Sequence, residues 1–268
     1  MKIITHNNMP MAVFPNLLES NLVLHGISTR TGGVSTGAWA TLNLGFHRGD
    51  RECDVIENFK RFTAALNIPF SSMVFSAQTH GTFIRRVFAA DKGKGAAPSD
   101  IRQTDGLYTN EPDVALVTFF ADCVPLLFLD PVKKVIAASH SGWRGTAAEI
   151  GRITVETLIR EFGSSPKDIL AGIGASIGPC CFEVDMPVAS EFFNNTKWAS
   201  YVCGPDGADK YKIDLWHINK QILEDAGLLP GNIDCKPICT CCNENLFYSH
   251  RRDADKRGSM AAFICLKT

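Results

Sequence analysis

Two kinds of apolar run occur along this chain. After Asp50, the residues Val55, Ile56, Phe59, Phe62 and Leu66 recur at helical steps, which predicts a helix with Asp50 as its cap. Over 147–162 the stripe is Ile150, Ile153, Leu158 and Phe162, and over 215–226 it is Leu215, Ile218, Ile222 and Leu223, stopping at Gly227. The second kind is short and strand-like, at 22–27, 73–75, 83–88, 114–120, 126–129, 135–138, 169–173 and 261–266. Several of these runs are continuous rather than alternating, as expected for strands buried on both faces. Strands and helices do not alternate regularly. The expected fold class is therefore α+β, two packed β-sheets flanked by helices, rather than a doubly wound sheet. Residues 91–99, rich in glycine and lysine and without apolar period, read as a loop.

A length of 268 residues suffices for one large core or two modest ones, and 45% hydrophobic with 21% charged residues is a globular balance. The net charge of -1 implies no general attraction to nucleic acid or to an acidic membrane. The stretch from Met1 to Asn8 lacks the apolar core of a signal peptide, and the most apolar run stops at Asp122, too short to cross a bilayer. A cytoplasmic protein is expected. Ten cysteines in a chain of this length and apolar content do not suggest a disulfide scaffold, so most read as reduced, buried thiols.

Three segments concentrate reactive residues: Gln78-Thr79-His80-Gly81, Ala121-Asp122-Cys123-Val124-Pro125 and Ser139-His140-Ser141-Gly142-Trp143-Arg144-Gly145. Each follows a strand-like run and precedes a break, where side chains can converge on an open site. Two imidazoles and a thiolate suit zinc, and three ligands leave a fourth position open, where zinc lowers the pKa of bound water to about 7. The three lie far apart in sequence, so spacing alone equally allows structural histidines and a buried thiol. Cys235, Cys239, Cys241 and Cys242 contain one C-x-x-C pair and no second, so they read as buried thiols in a strand. Gly174-Ala175-Ser176-Ile177-Gly178 matches a nucleophile elbow, yet Pro179-Cys180-Cys181-Phe182 does not continue as the helix that motif needs. No phosphate-binding P-loop, dinucleotide fingerprint or cytidine-deaminase signature occurs. In the polar segment 30–50, Asn43 is a candidate ligand contact and Arg48 a candidate phosphate partner; the alternative is a loop held by its own polar groups.

Together, several pieces resemble the YfiH/YlmD laccase-domain family, also labelled polyphenol oxidase or peptidoglycan editing factor. They are Thr29-Arg30-Thr31-Gly32-Gly33-Val34-Ser35, Leu42-Asn43-Leu44-Gly45, Gln78-Thr79-His80-Gly81, Asp105-Gly106-Leu107, Ala121-Asp122-Cys123-Val124-Pro125-Leu126-Leu127, His140-Ser141-Gly142-Trp143-Arg144-Gly145, Ile177-Gly178-Pro179 and Phe182-Glu183-Val184. The resemblance implies a single catalytic domain over 1–268, built as an αββα sandwich similar to the cysteine hydrolase domain of cytotoxic necrotising factor. It implies zinc on His80, Cys123 and His140. It also implies phosphorolysis of adenosine, inosine, guanosine and methylthioadenosine, and deamination of adenosine, so the expected partners are a purine nucleoside and phosphate. The chain departs from the family pattern near its end, where Phe247-Tyr248-Ser249-His250-Arg251-Arg252 carries His250 in place of a tyrosine and Arg257-Gly258-Ser259 follows. That departure bears on substrate preference.

Within this frame Asp122 is the candidate proton donor, and Arg48 or Arg144 the candidate phosphate holder. Asp122 is expected to raise the pKa of a free Cys123 thiol, so Cys123 is expected to act through the metal. Two alternatives stay open. A copper polyphenol oxidase would use the same His2Cys set, since a multicopper centre takes more histidines than the seven present. A Cys–His amidase acting on cell-wall precursors would use Cys123 as a catalytic nucleophile.

Overall fold

The computed structural model describes residues 1–96, 103–204 and 210–268. The chain opens with β1 (Lys2–His6), β2 (Met9–Val13), α1 (Pro15–Glu19), β3 (Val23–Ser28) and α2 (Glu52–Leu66). Next come β4 (Met73–Phe75), β5 (Ile84–Arg86), β6 (Gly106–Thr109), β7 (Ala115–Phe120), β8 (Val124–Asp130) and β9 (Val135–Ser141). Two helices, α3 (Trp143–Ala147) and α4 (Ile150–Phe162), lead to β10 (Leu170–Ile173), β11 (Glu183–Asp185), α5 (Met186–Phe193), β12 (Val202–Cys203) and β13 (Lys210–Ile213). The chain finishes with α6 (Leu215–Asp225), β14 (Ile233–Cys235), α7 (His250–Asp253) and β15 (Met260–Leu266).

Two six-stranded sheets carry the fold, in the orders β1-β2-β3-β15-β7-β4 and β14-β10-β8-β9-β6-β5. A small third sheet is β11-β13-β12. The continuous apolar runs are explained by what each face meets. In β15, Met260, Ala262, Ile264 and Leu266 face the core shared by the two sheets, while Ala261, Phe263 and Cys265 face α2. In β8, Leu127 and Leu129 enter the shared core, whereas Val124, Leu126 and Phe128 pack on the far side with residues of α4 and α6. Both sheets are thus covered twice, so period-2 alternation is lost and these strands read as near-continuous apolar runs. The expected two-sheet α+β architecture holds.

Three details differ from expectation. Asp50 does not cap α2: its Oδ2 accepts from Ser35 Oγ at 2.7 Å and Asn43 Nδ2 at 2.9 Å, and Arg51 occupies the cap position. The segment expected as one helix over 147–162 is broken at Glu149, whose φ of 56° is left-handed, so α3 and α4 are separate. In the loop expected over 91–99, residues 97–99 lie outside the described residues. The described part packs against β4, with Gly93 N donating to Met73 O at 2.7 Å and Phe75 N to Lys94 O at 2.9 Å. Among the described residues, no helix is long and apolar enough to cross a membrane.

Candidate metal centre

β8 and β9 pair antiparallel, with Pro125 opposite His140 and Val124 opposite Ser141. That register brings Cys123, just before β8, beside His140 near the end of β9. β6 pairs with β9 on its other side, Gly106 opposite Ser139, and so places Asp105 next to His140. The Asp105 carboxylate then organises the third segment. Its Oδ2 accepts from Thr79 N at 3.0 Å, Thr79 Oγ1 at 3.1 Å and Gly81 N at 2.8 Å, and its Oδ1 accepts from His80 N at 2.9 Å. These bonds hold His80 at a φ of 62°, a left-handed conformation that costs about 1–3 kcal/mol. The same Oδ1 lies 3.0 Å from His140 Nδ1. Asp105 therefore fixes the ring with Nδ1–H donating, leaving Nε2 for the cluster.

The result is three donor groups, on His80, Cys123 and His140, all within 4.8 Å of one another. Gly142 is what makes room: a Cβ there would lie 3.1 Å from the His80 ring and 3.2 Å from Cys123 Sγ. Burial tends to raise the Cys123 thiol, but the His140 charge and hydrogen bonds from His140 and His80 prevail and bring it down to about 6. Burial tends to lower His140, yet Cys123 and Asp105 push it up to about 9. Asp105 is also depressed: burial opposes its ionisation, but His140 and the amides of Thr79 and Gly81 outweigh it. Two imidazoles and a thiolate in one convergent set are a donor set that zinc accepts, with a fourth position left open.

Asp122 behaves differently from expectation. Its carboxylate accepts from Thr240 Oγ1 at 2.6 Å, Ser249 Oγ at 3.0 Å and Arg251 N at 2.7 Å, and its backbone φ is 87°. These bonds clamp the turn that presents Cys123. Contrary to expectation, the thiol beside Asp122 is lowered, because the imidazoles dominate its surroundings.

The cluster opens into a cavity of about 1130 Å³. Arg48, Arg144, Arg251 and Arg257 contribute to its walls, as do Phe119, Phe120, Phe182, Val184, Val188 and Leu215. Arg257 is buried, and its Nε has no hydrogen-bond partner among the described residues. Burial and the nearby Arg48 charge depress its pKa and outweigh the opposing pull of Asp122, Cys123 and Asp255, so two cations stand close together on the wall of one cavity. Arg144 is exposed and stacks on Trp143, its Cζ 4.2 Å from a ring centroid. His250, the departure from the family pattern, lines the same cavity.

Asn43 is not brought to this site. It is fully buried; its Nδ2 donates to Asp50, and its Oδ1 accepts from Gly45 N at 2.8 Å and Ser259 N at 2.9 Å. Its amide holds the loop rather than facing a ligand. Ser176 is likewise buried, donating to Gly174 O and accepting from Trp216 Nε1 at 2.7 Å. Asp105 and Arg257 were missed as site residues, although Asp105-Gly106-Leu107 and Arg257-Gly258-Ser259 stood out as motifs.

Comparison with known proteins gives one consistent answer. The model of a family described as multi-copper polyphenol oxidoreductase laccase matches residues 24–267. Purine nucleoside phosphorylase YlmD of Bacillus subtilis is 40% identical over 247 residues, 91% of this chain and 89% of that protein. The enzyme of the same name from Geobacillus stearothermophilus is 38% identical, covering 89% of this chain and 88% of that one. The crystal structure of the hypothetical protein YfiH of Bacillus licheniformis superposes with a TM-score of 0.90 at 38% identity, over 97% of this chain and 96% of that one.

Proposed function

The chain belongs to the multi-copper polyphenol oxidoreductase laccase family, and on that premise we propose that it is a cytoplasmic zinc-dependent purine nucleoside enzyme. In this reading it is one catalytic domain. It acts as a transferase, cleaving adenosine, inosine, guanosine and methylthioadenosine with phosphate, and as a hydrolase deaminating adenosine. One observation carries the reading: the His80, Cys123 and His140 donors form the floor of a cavity whose wall bears Arg48 and Arg257. A metal-ligand set and an anion-ready pair of guanidiniums in one cavity suit a reaction between a nucleoside and phosphate.

Zinc held by these three residues supplies Lewis acidity toward the purine. The chain's own groups do the rest. Asp105 keeps His140 in one tautomer and orientation. Arg48 and Arg257 hold the phosphate, where charge-assisted hydrogen bonds fix its approach to the ribose C1′. Arg144 on its Trp143 platform offers a further cation at the rim. Phe119, Phe120 and Phe182 give the base an apolar, aromatic wall that keeps water away. Asp122 acts as a positioning residue, with its oxygens engaged by Thr240, Ser249 and Arg251.

A second reading has one specific observation in its favour. Without metal, Cys123, His140 and Asp105 line up as a lowered thiol, a raised imidazole and an orienting carboxylate, the arrangement of a Cys–His amidase. Incubating the protein with adenosine, with and without phosphate, and following adenine, inosine and hypoxanthine by chromatography decides between them. The nucleoside reading expects adenine only with phosphate, and inosine in either case. No purine product under any condition, with a cell-wall precursor cleaved instead, would install the amidase.

A further inference from the structure

Cys239 and Cys242 formed a C-x-x-C pair without a counterpart in the sequence. The fold supplies one. A parallel bridge between Ser176 and Cys239, with Ser176 N donating to Ile238 O and Thr240 N to Ser176 O, lays the segment after β14 beside the turn after β10. That turn carries the adjacent pair Cys180-Cys181. The sulfurs of Cys180, Cys181, Cys239 and Cys242 all lie within 4.8 Å of one another. Cys242 Sγ is 3.5 Å from Cys180 Sγ and 3.3 Å from Cys181 Sγ. A tetrahedral zinc with zinc–sulfur bonds of about 2.3 Å sets its sulfurs about 3.8 Å apart, so the set is close to that geometry.

We propose that Cys180, Cys181, Cys239 and Cys242 form a second, closed metal centre that takes zinc and pins one wall of the cavity. Convergence of four sulfurs on one point is what separates this cluster from a disulfide, which pairs two cysteines and needs no others. The set receives a backbone hydrogen bond, and its loops are tied from outside. Gly178 N donates to Cys239 Sγ at 3.3 Å. Two guanidiniums close over the loops: Arg251 Nη1 donates to Cys181 O at 3.1 Å, and Arg252 Nη1 to Thr240 O at 3.1 Å and Cys241 O at 3.0 Å. Three protein ligands leave a coordination position for chemistry, whereas four fill it, so this centre is structural. What it staples matters to the first centre. On one side, Phe182 and Glu183 follow Cys181 directly and line the cavity. On the other, Thr240 lies next to Cys239 and donates to Asp122 beside Cys123.

Metal analysis of protein purified under reducing, chelator-free conditions tests this. The expected content is about two zinc ions per chain. Cys180→Ser/Cys242→Ser should lose one zinc and keep the other. Cys123→Ala/His140→Ala should also keep one, and that one must disappear when the two sets are combined. The outcomes separate the two centres: zinc that survives Cys123→Ala/His140→Ala supports the tetrathiolate centre whatever the first site binds. If the serine variant fails to fold, cobalt titration into metal-stripped Cys123→Ala/His140→Ala replaces it. A thiolate-to-cobalt charge-transfer band with the intensity of four Co–S bonds is expected there. No metal in that variant and no such band, or a disulfide joining two of the four under reducing conditions, overturns the proposal.

Discussion

The two cysteine-bearing clusters of this molecule are built on opposite plans. The His80, Cys123 and His140 set stands at strand ends, with β8, β9 and β6 paired around it, and one buried carboxylate, Asp105, touches two of the three segments. It opens into the large cavity. The Cys180, Cys181, Cys239 and Cys242 set joins two loops near the surface, and none of its four residues lines that cavity. Ligand number and support divide the labour between them. In the proposed reading, three donors of mixed type on rigid strands would leave an open position for substrate, whereas four thiolates on loops would hold two loops together.

The largest effect is expected at the open centre. Cys123→Ala should remove its metal and bring nucleoside cleavage to background while the circular dichroism spectrum stays native. Full cleavage by Cys123→Ala would merge the two clusters into one structural class. Asp105→Asn comes next. Loss of the charged acceptor should weaken metal binding at the open centre about 10–100-fold, read as the zinc affinity by competition with a chelator. Unchanged affinity would mean that His140 needs no partner.

Arg257→Ala and Arg48→Ala should each raise the KM for phosphate roughly tenfold or more, since a hydrogen bond to a charged group contributes about 1.5–3 kcal/mol. The same variants should leave both metals in place, so a loss of zinc would show that these arginines support the fold instead. A smaller effect on activity is expected for Cys180→Ser/Cys242→Ser, which should lower the thermal midpoint while nucleoside turnover falls only modestly. Asn43→Ala gives the cleanest control. It should destabilise the chain by about 1–3 kcal/mol in denaturant unfolding, because buried partners lose their bonds, with the KM for nucleoside and phosphate unchanged.

Much of this arrangement is legible in the sequence, and what escapes it has physical causes. Strands β7, β8, β9 and β15 announced themselves because both faces are buried, leaving unbroken apolar runs. β1 was missed because it is an exposed edge strand, with only Ile4 and none of its neighbours even half-buried. The small sheet β11-β13-β12 escaped because its strands run two to four residues and each buries a single core residue, Val184, Val202 or Ile213, too short a pattern to read. The motifs marked His80, Cys123 and His140, whose donor atoms the fold brings within 4.8 Å of one another, whereas the Asp105-Gly106-Leu107 motif gives Asp105 no role until β6 is paired with β9. Cys180-Cys181 escaped because a search for paired C-x-x-C spacing does not see an adjacent pair, and only the Ser176–Cys239 bridge brings it to Cys242.

The open centre is proposed to need zinc to act on purine nucleosides with phosphate. Its most direct test strips the protein of metal and restores it with zinc or with copper. Release of free base from adenosine and inosine is then followed with phosphate present. Base release should be restored by zinc and not by copper. Restoration by copper alone, with oxygen consumed and no base released, would contradict it.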